Sequence, residues 1–135
     1  MPNALYDKGR EGFLDGSIDW DTDNIKTLLV DAADYSVDLA LHSVLTDIPA
    51  IARVASSVNL TAKTVTAGVA DAADVTFNTV TGDPCEVLVI YQDSGVEATS
   101  RLIAYLDTAT GLPVTPNGGD IQVQWDNGVN RIFKL

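Results

Sequence analysis

The sequence predicts a mainly β protein, an antiparallel β-sandwich or small barrel with one or two short helices in its N-terminal half. The first observation is a pair of runs, at 87–91 and 102–106, that are apolar at every position. A strand with one wet face alternates apolar and polar residues, so both faces of these two strands are expected to be covered. The second observation is a series of about seven β-rich segments separated by turn residues, which is typical of sandwiches and barrels.

Several kinds of structure can pack on the two faces of these strands. In a chain of 135 residues, one face can lie against a second sheet and the other against a helix, a loop or a neighbouring subunit. We favour a cover that is partly supplied by another molecule. This interpretation predicts a protein that works by association rather than by catalysis.

The first 20 residues are predicted to form an N-terminal arm or a helix. Over residues 4–14 a short helix is expected, with Asn3 as its N-cap and Gly16 after its end. Gly9 and Gly12 weaken this helix by roughly 1 kcal/mol each relative to alanine.

A second helix is predicted over residues 38–48, since apolar residues recur there at helical spacing. Asp38 is its expected N-cap and Pro49 its end. The remaining segments predict strands over 25–30, 60–66, 74–78, 86–92, 101–107, 121–125 and 131–134. Asp126-Asn-Gly128 is a strong tight-turn signal, so the last two strands are predicted to pair as a terminal hairpin.

Composition predicts one β-rich domain over residues 1–135, because the chain is long enough for one core and is 46% hydrophobic. No run reaches the roughly 18 apolar residues of a membrane span, and no secretion leader is expected at the start. The formal charge of −11 repels phosphate backbones, which disfavours nucleic-acid partners. The single Cys85 is expected to be a buried structural thiol.

Clustered carboxylates suggest a calcium loop only at first sight. Asp19, Asp21 and Asp23 have the spacing of the first three ligands of a calcium loop. Such a loop also needs Gly at its sixth position and Glu at its twelfth. Those positions hold Asn24 and Val30. We therefore predict a solvated acidic turn and no metal site.

Catalytic signatures are equally weak. Asp93-Ser-Gly95 and Asp107-Thr-Ala109 each follow an apolar run, as the paired carboxylates of aspartic proteases do. The second has Ala where Gly is needed, and the first lies where a hairpin turns anyway. His42 is the only histidine and has no partner at motif spacing. We predict no enzymatic activity and no cofactor.

Several stretches resemble small virion proteins of tailed bacteriophages, of the head-decoration or cement type. The resembling segments cover nearly the whole chain: Asn3-Ala-Leu-Tyr-Asp-Lys-Gly9, Ile18-Asp-Trp20, Ile25-Lys26, Tyr35, His42, Leu45-Thr-Asp-Ile48, Ala52-Arg-Val54, Lys63-Thr-Val65, Asp74-Val-Thr-Phe77, Val89-Ile-Tyr91, Ser100-Arg-Leu-Ile-Ala-Tyr105 and Asn117-Gly-Gly-Asp-Ile121.

The resemblance implies a non-enzymatic, β-rich structural protein that is made in the bacterial host cytoplasm and sits on the outer capsid surface of the virion. It implies a homo-oligomer, with a trimer favoured, that bridges neighbouring subunits of the major capsid protein. The long segment 108–120 is rich in Gly and Pro, and loops of this kind are often contact surfaces. The residues expected at the interface are Tyr6, Arg10, Trp20, Arg101, Pro113, Pro116 and Asn117.

Two other functions stay open at this stage. One is a structural position in the phage tail or neck rather than on the head. The other is a soluble β-sandwich module that binds a carbohydrate or another small ligand, with Trp20, Tyr35 and the acidic turn 19–23 as candidate contacts.

Overall fold

A five-stranded antiparallel sheet forms the centre of the computed structural model, which describes residues 3–135. Its strands, in spatial order, are β1 (Ala4–Leu5), β8 (Arg101–Leu106), β7 (Val87–Gln92), β2 (Ile25–Val30) and β3 (Arg53–Ser56). The two apolar runs form β7 and β8, the predicted strand 25–30 forms β2, and the apolar positions of all three strands are buried. Central strands carry the longest apolar runs because neither of their faces meets water.

Two smaller antiparallel sheets form the second layer of the sandwich. One contains β10 (Phe133–Lys134), β5 (Val69–Asp71) and β4 (Thr64–Thr66), and the other contains β6 (Val75–Phe77) and β9 (Ile121–Val123). Residues of all three sheets share one buried core. The predicted mainly β, antiparallel sandwich is therefore confirmed.

The opposite face of the large sheet is covered by the same chain. Tyr6, Tyr35, Leu45, Ile48 and Ala52 come from the N-terminal segment and from the long connection between β2 and β3, and they pack on this face as a second buried cluster. The expectation that another molecule supplies part of the cover is wrong. Tyr6 and residues between 31 and 52 supply it, and the scattered apolar side chains of the latter reach the sheet from irregular backbone.

The N-terminal segment packs on the domain and is not an extended arm. α1 (Asp7–Asp15) begins after Tyr6 and ends at Gly16, whose φ of 82° is the left-handed conformation that glycine adopts easily. Asn3 is not its N-cap: its Oδ1 accepts the backbone N–H of Asp107 at 2.8 Å, next to the pairing of β1 with β8. The helix follows directly after β1 and lies against β8.

The predicted helix over residues 38–48 is wrong. Asp38 does accept the backbone N–H groups of Ala40 and Leu41, but the chain then leaves helical geometry. Val44 forms a β-bridge with Arg101, and only Leu45–Asp47 forms a short 3-10 turn. Backbone N–H and C=O groups of this segment are satisfied by pairing with the open edge of β8. These tertiary contacts override the helix that the spacing of the apolar residues predicts.

The predicted terminal hairpin is also wrong. β9 pairs with β6 and β10 pairs with β5, although Asp126 does accept the N–H of Gly128 in a local turn. The strands observed near 60–66, 74–78, 121–125 and 131–134 are two or three residues long, shorter than predicted. The strands β1, β3 and β5 carry too little apolar pattern to be predicted from sequence.

The long connection 108–120 lies on the surface and is fixed at three places. Val114 forms a bridge with Cys85, Thr110 forms a bridge with Gln124, and Val80 exchanges backbone hydrogen bonds with Gly118 and Gly119. Cys85 is fully buried, which confirms the expected structural thiol, and burial raises the pKa of this thiol to about 11.

Candidate functional site

An open apolar groove lies where α1, the turn after it, and the sheet β10-β5-β4 meet. Its volume is about 330 Å³, and its apolar lining includes Phe13, Ile18, Trp20, Val65, Ala70, Phe133 and Leu135. A cavity of about 150 Å³ can hold a benzene ring, so this groove has room for a large apolar side chain. Its volume lies at the lower end of the roughly 300–1,000 Å³ that ligand pockets span.

Aromatic packing builds the floor of the groove. The left-handed Gly16 turns the chain back, and the N–H of Ile18 bonds to the carbonyl of Gly12 at 3.0 Å. This turn places Trp20 edge-on to Phe133, with ring centroids 5.3 Å apart. The indole Nε1–H of Trp20 donates to the carbonyl of Asp71 at 3.1 Å, so the ring is anchored to β5.

The β4–β5 hairpin forms the other wall. Ala67 and Gly68 both have positive φ, as a two-residue hairpin turn requires. The register places Val65 opposite Ala70, and Ala70 opposite Phe133, in one row across the sheet. Ala70 and Phe133 are buried, whereas Val65 is 58% exposed. The apolar row therefore runs from the core out to the surface and ends at Val65.

Carboxylates border the groove on the side of its acidic turn. Asp19 lines the groove, and Asp21 and Asp23 follow in the same turn. The hydrogen bond between Asp19 and Asp21 lowers the pKa of Asp19 and raises the pKa of Asp21. Lys63 lies beside the turn and donates to the carbonyl of Asp23. Three acids against one base give this border a negative charge.

Two of the residues predicted for the interface are core residues. Tyr6 is 0% exposed and packs in the second cluster, so it offers no surface to a partner and the expectation is corrected for this residue. Trp20 is 3% exposed and meets the surface only at the floor of the groove, so its part in an interface stays a prediction.

The other five predicted interface residues do not form one surface with the groove. Arg10 is exposed on α1, 3.8 Å from Asp7, and Arg101 donates to the Ser17 hydroxyl at 2.9 Å. Pro113 and Asn117 are exposed and Pro116 is half-buried in the connection 108–120. Their role in an interface stays a prediction. Sequence analysis did not identify Phe13, Val65 or Phe133, because no local pattern shows that such distant residues meet.

The register of β7 and β8 separates the two carboxylates that resemble an aspartic protease pair. Asp93 follows Gln92, which lies opposite Arg101, whereas Asp107 follows Leu106, which lies opposite Leu88. At about 3.4 Å per residue, these carboxylates are at least roughly 14 Å apart along the strands and cannot share a proton. Asp93 instead pairs with Lys26 at 2.8 Å and accepts the N–H of Gly95.

The ion pair of Lys26 and Asp93 leads to a stability prediction. Lys26 lowers the pKa of Asp93, so the contribution of this pair is present above the unfolded pKa and is lost as the pH falls through the lower, folded pKa. We expect Asp93→Asn to reduce the free energy of unfolding by about 1 kcal/mol at neutral pH, and by less in acid. Urea unfolding at several pH values measures this, with Glu11→Gln, in the exposed ion pair with Lys8, as control. An equal loss at every pH would contradict the ion-pair role.

One group of carboxylates in residues 3–135 has metal-ligand spacing. Oxygens of Asp31, Asp34 and Asp83 lie within 4.8 Å of one another. Asp31 is buried and already accepts the N–H of Ala33 at 2.9 Å. One oxygen from each side chain gives three ligand atoms, fewer than the six to eight oxygens that Ca²⁺ usually takes, and among the described residues no further feature points to an ion there.

Comparison with known protein families gives no matching family for this chain, and comparison with curated proteins gives no match. Within residues 3–135, no helix has the length and apolarity that crossing a membrane would need. Function therefore has to be inferred from the chain's own residues and from the resemblance in its sequence.

Proposed function

We propose that this chain is a non-enzymatic structural protein of a phage virion, a capsid decoration or cement protein. It self-associates, with a trimer favoured, and binds the lattice of the major capsid protein on the outer surface of the head. The observation that carries the proposal is the open groove, whose lining is mostly apolar and whose charged groups lie at its border. Such a groove receives a side chain of a protein partner, since anchoring side chains in pockets dominate protein–protein binding.

The closed core supports the same function. Both faces of the large sheet are covered within one copy, so the domain can fold before it meets a lattice. Each contact with the lattice can then be modest, because many linked copies add their binding energies through multivalency. The resemblance of the sequence to head-decoration proteins supplies the identity of the partner.

The carbohydrate-binding alternative loses its candidate aromatic contacts. Trp20 and Tyr35 are 3% and 4% exposed, so neither ring face can stack on a sugar. A structural protein of the phage tail or neck would bind its partner through the same groove. Only the location of the protein on virions distinguishes this alternative from head decoration.

Light scattering and electron microscopy test the proposal together. We expect a solution mass three times the 14.3 kDa of one chain, and added density on the outside of empty shells mixed with the protein. Density at the tail or neck of whole virions would contradict head decoration in favour of the other position. A monomer that leaves shells, tails and necks undecorated would overturn the proposal.

A further inference from the structure

We propose that the groove at α1 and β4 binds a partner segment that carries a large apolar side chain between basic residues. This inference deepens the proposed function, because it names the chemistry of the capsid surface that the groove would contact. It can nevertheless be tested without a capsid.

The large apolar side chain of the proposed partner segment is inferred from the row Val65, Ala70 and Phe133. This row begins in the core and ends at the half-exposed Val65, and the gap beside it is bordered by Phe13 and Trp20. The nearby Leu135 is 60% exposed. A side chain that entered the groove would bury apolar surface of Val65 and Leu135, at about 25 cal/mol per Å².

The basic residues of the proposed partner segment are inferred from the negative charge at the border of the groove. Asp19 lines the groove, Asp21 and Asp23 follow in the same turn, and Lys63 donates to the backbone carbonyl of Asp23. The whole chain carries a formal charge of −11. The side chain of Lys134 lies beside Gly68 at the hairpin end of the groove, so the three acids stand against two bases in this region and still outnumber them. The acidic border disfavours an acidic segment as the occupant of the groove, whereas a basic segment would be attracted and steered to it.

The edge of β4 offers a backbone contact in the same place. Among the described residues, β4 pairs only with β5, so its outer edge has no strand beside it. In a two-residue hairpin the positions next to the turn pair inward, which leaves the N–H and C=O of Val65 directed outward. An extended segment could therefore bond to Val65 while its side chain enters the groove.

The experiment titrates the isotope-labelled full chain with short peptides and follows backbone amide signals by NMR. The probe is acetyl-Lys-Lys-Leu-Phe-Lys-Lys-amide. Two matched peptides replace Leu-Phe by Ser-Ser, or the four lysines by glutamates. We expect signals of Phe13, Trp20 and Val65 to shift with the probe, and binding to the matched peptides to be at least about tenfold weaker.

Variants locate the contact. Val65→Asn should weaken binding of the probe about tenfold, and Val96→Asn, at an equally exposed valine outside the groove, should leave it unchanged. Val65→Thr keeps the β-branched shape and gives the same test if Val65→Asn does not fold. Absence of shifts with the probe, equal binding of the glutamate peptide, or full binding by both Val65 variants would overturn the inference.

The same variants separate this inference from the proposed function. If the wild-type chain binds the probe but not phage shells, the groove inference holds and the capsid role fails. If the chain decorates shells and Val65→Asn decorates them equally well, the capsid role holds and the groove inference fails.

Discussion

Replacement of Gly9 by alanine is expected to reduce the free energy of unfolding by about 2 kcal/mol, although alanine is the better helix former. A Cβ at this position would lie 2.9 Å from the Cα and the carbonyl oxygen of Ile103. These are backbone atoms of β8, so they cannot move aside as a flexible side chain can. The overpacking cost exceeds the gain of about 1 kcal/mol in helix propensity.

Local geometry explains why α1 approaches β8 so closely. The register of β7 and β8 shifts after Ile90, which leaves Ile103 without a partner on β7. Its carbonyl instead accepts the N–H of Tyr6 at 3.0 Å, at the start of the helix. Such a bulge bends the strand, and here it lies directly under Gly9.

Urea unfolding measures the effect, with two comparison variants. Gly12→Ala should cost less, because the closest atoms to its Cβ belong to the side chain of Ile18. Lys8→Ala lies on the exposed face of the same helix and should have little effect. A Gly9→Ala protein as stable as the wild type would show that α1 does not pack against β8 in this way.

Replacement of Tyr35 by phenylalanine is expected to cost about 2–3 kcal/mol, and replacement of Tyr6 only about 1 kcal/mol. The two hydroxyls lie 2.9 Å apart in the second core cluster, and the Tyr35 hydroxyl lies 2.8 Å from Nδ1 of His42. The N–H of Asp38 also points at this nitrogen, at 3.1 Å. A backbone N–H can only donate, so Nδ1 accepts, Tyr35 donates to His42, and Tyr6 donates to Tyr35.

This order of donors predicts the difference between the two variants. Without the Tyr35 hydroxyl, the Tyr6 hydroxyl is a buried donor with no acceptor, which is the costly case. Without the Tyr6 hydroxyl, Tyr35 still donates to His42 and loses only one incoming bond. Equal losses of stability in the two variants, measured by urea unfolding, would contradict the chain of donors.

Alkaline pH gives a second measurement on the same cluster. Burial raises the pKa of Tyr35 to about 12, above its ordinary value of 10, and burial also raises the pKa of Tyr6. The folded state therefore favours the protonated phenols, so this contribution is present below pH 10 and is lost as the pH rises toward about 12. Tyr35→Phe should lose less stability than the wild type between these pH values.

The candidate site illustrates what sequence patterns miss. The apolar groove takes Phe13 from a helix, Trp20 from a turn, and Val65 and Phe133 from two strands almost 70 positions apart. Each residue alone has the pattern of an ordinary core side chain, and only Trp20 is also among the residues predicted for the interface. The pairing of β5 with both β4 and β10 aligns Val65 with Phe133, and ring packing on Phe133 adds Phe13 and Trp20.

By itself the sequence determined the mainly β class, the central strands β2, β7 and β8, the helix near the N-terminus and the buried Cys85. These features follow from side chains that are neighbours along the chain, so composition and periodicity are sufficient. The tertiary structure alone decided the partners of β9 and β10, the irregular path of residues 38–48 and the cover of the second face. Those features depend on which distant backbone edges and apolar surfaces are available to pair with each segment. The local sequence pattern carries no information about such distant partners.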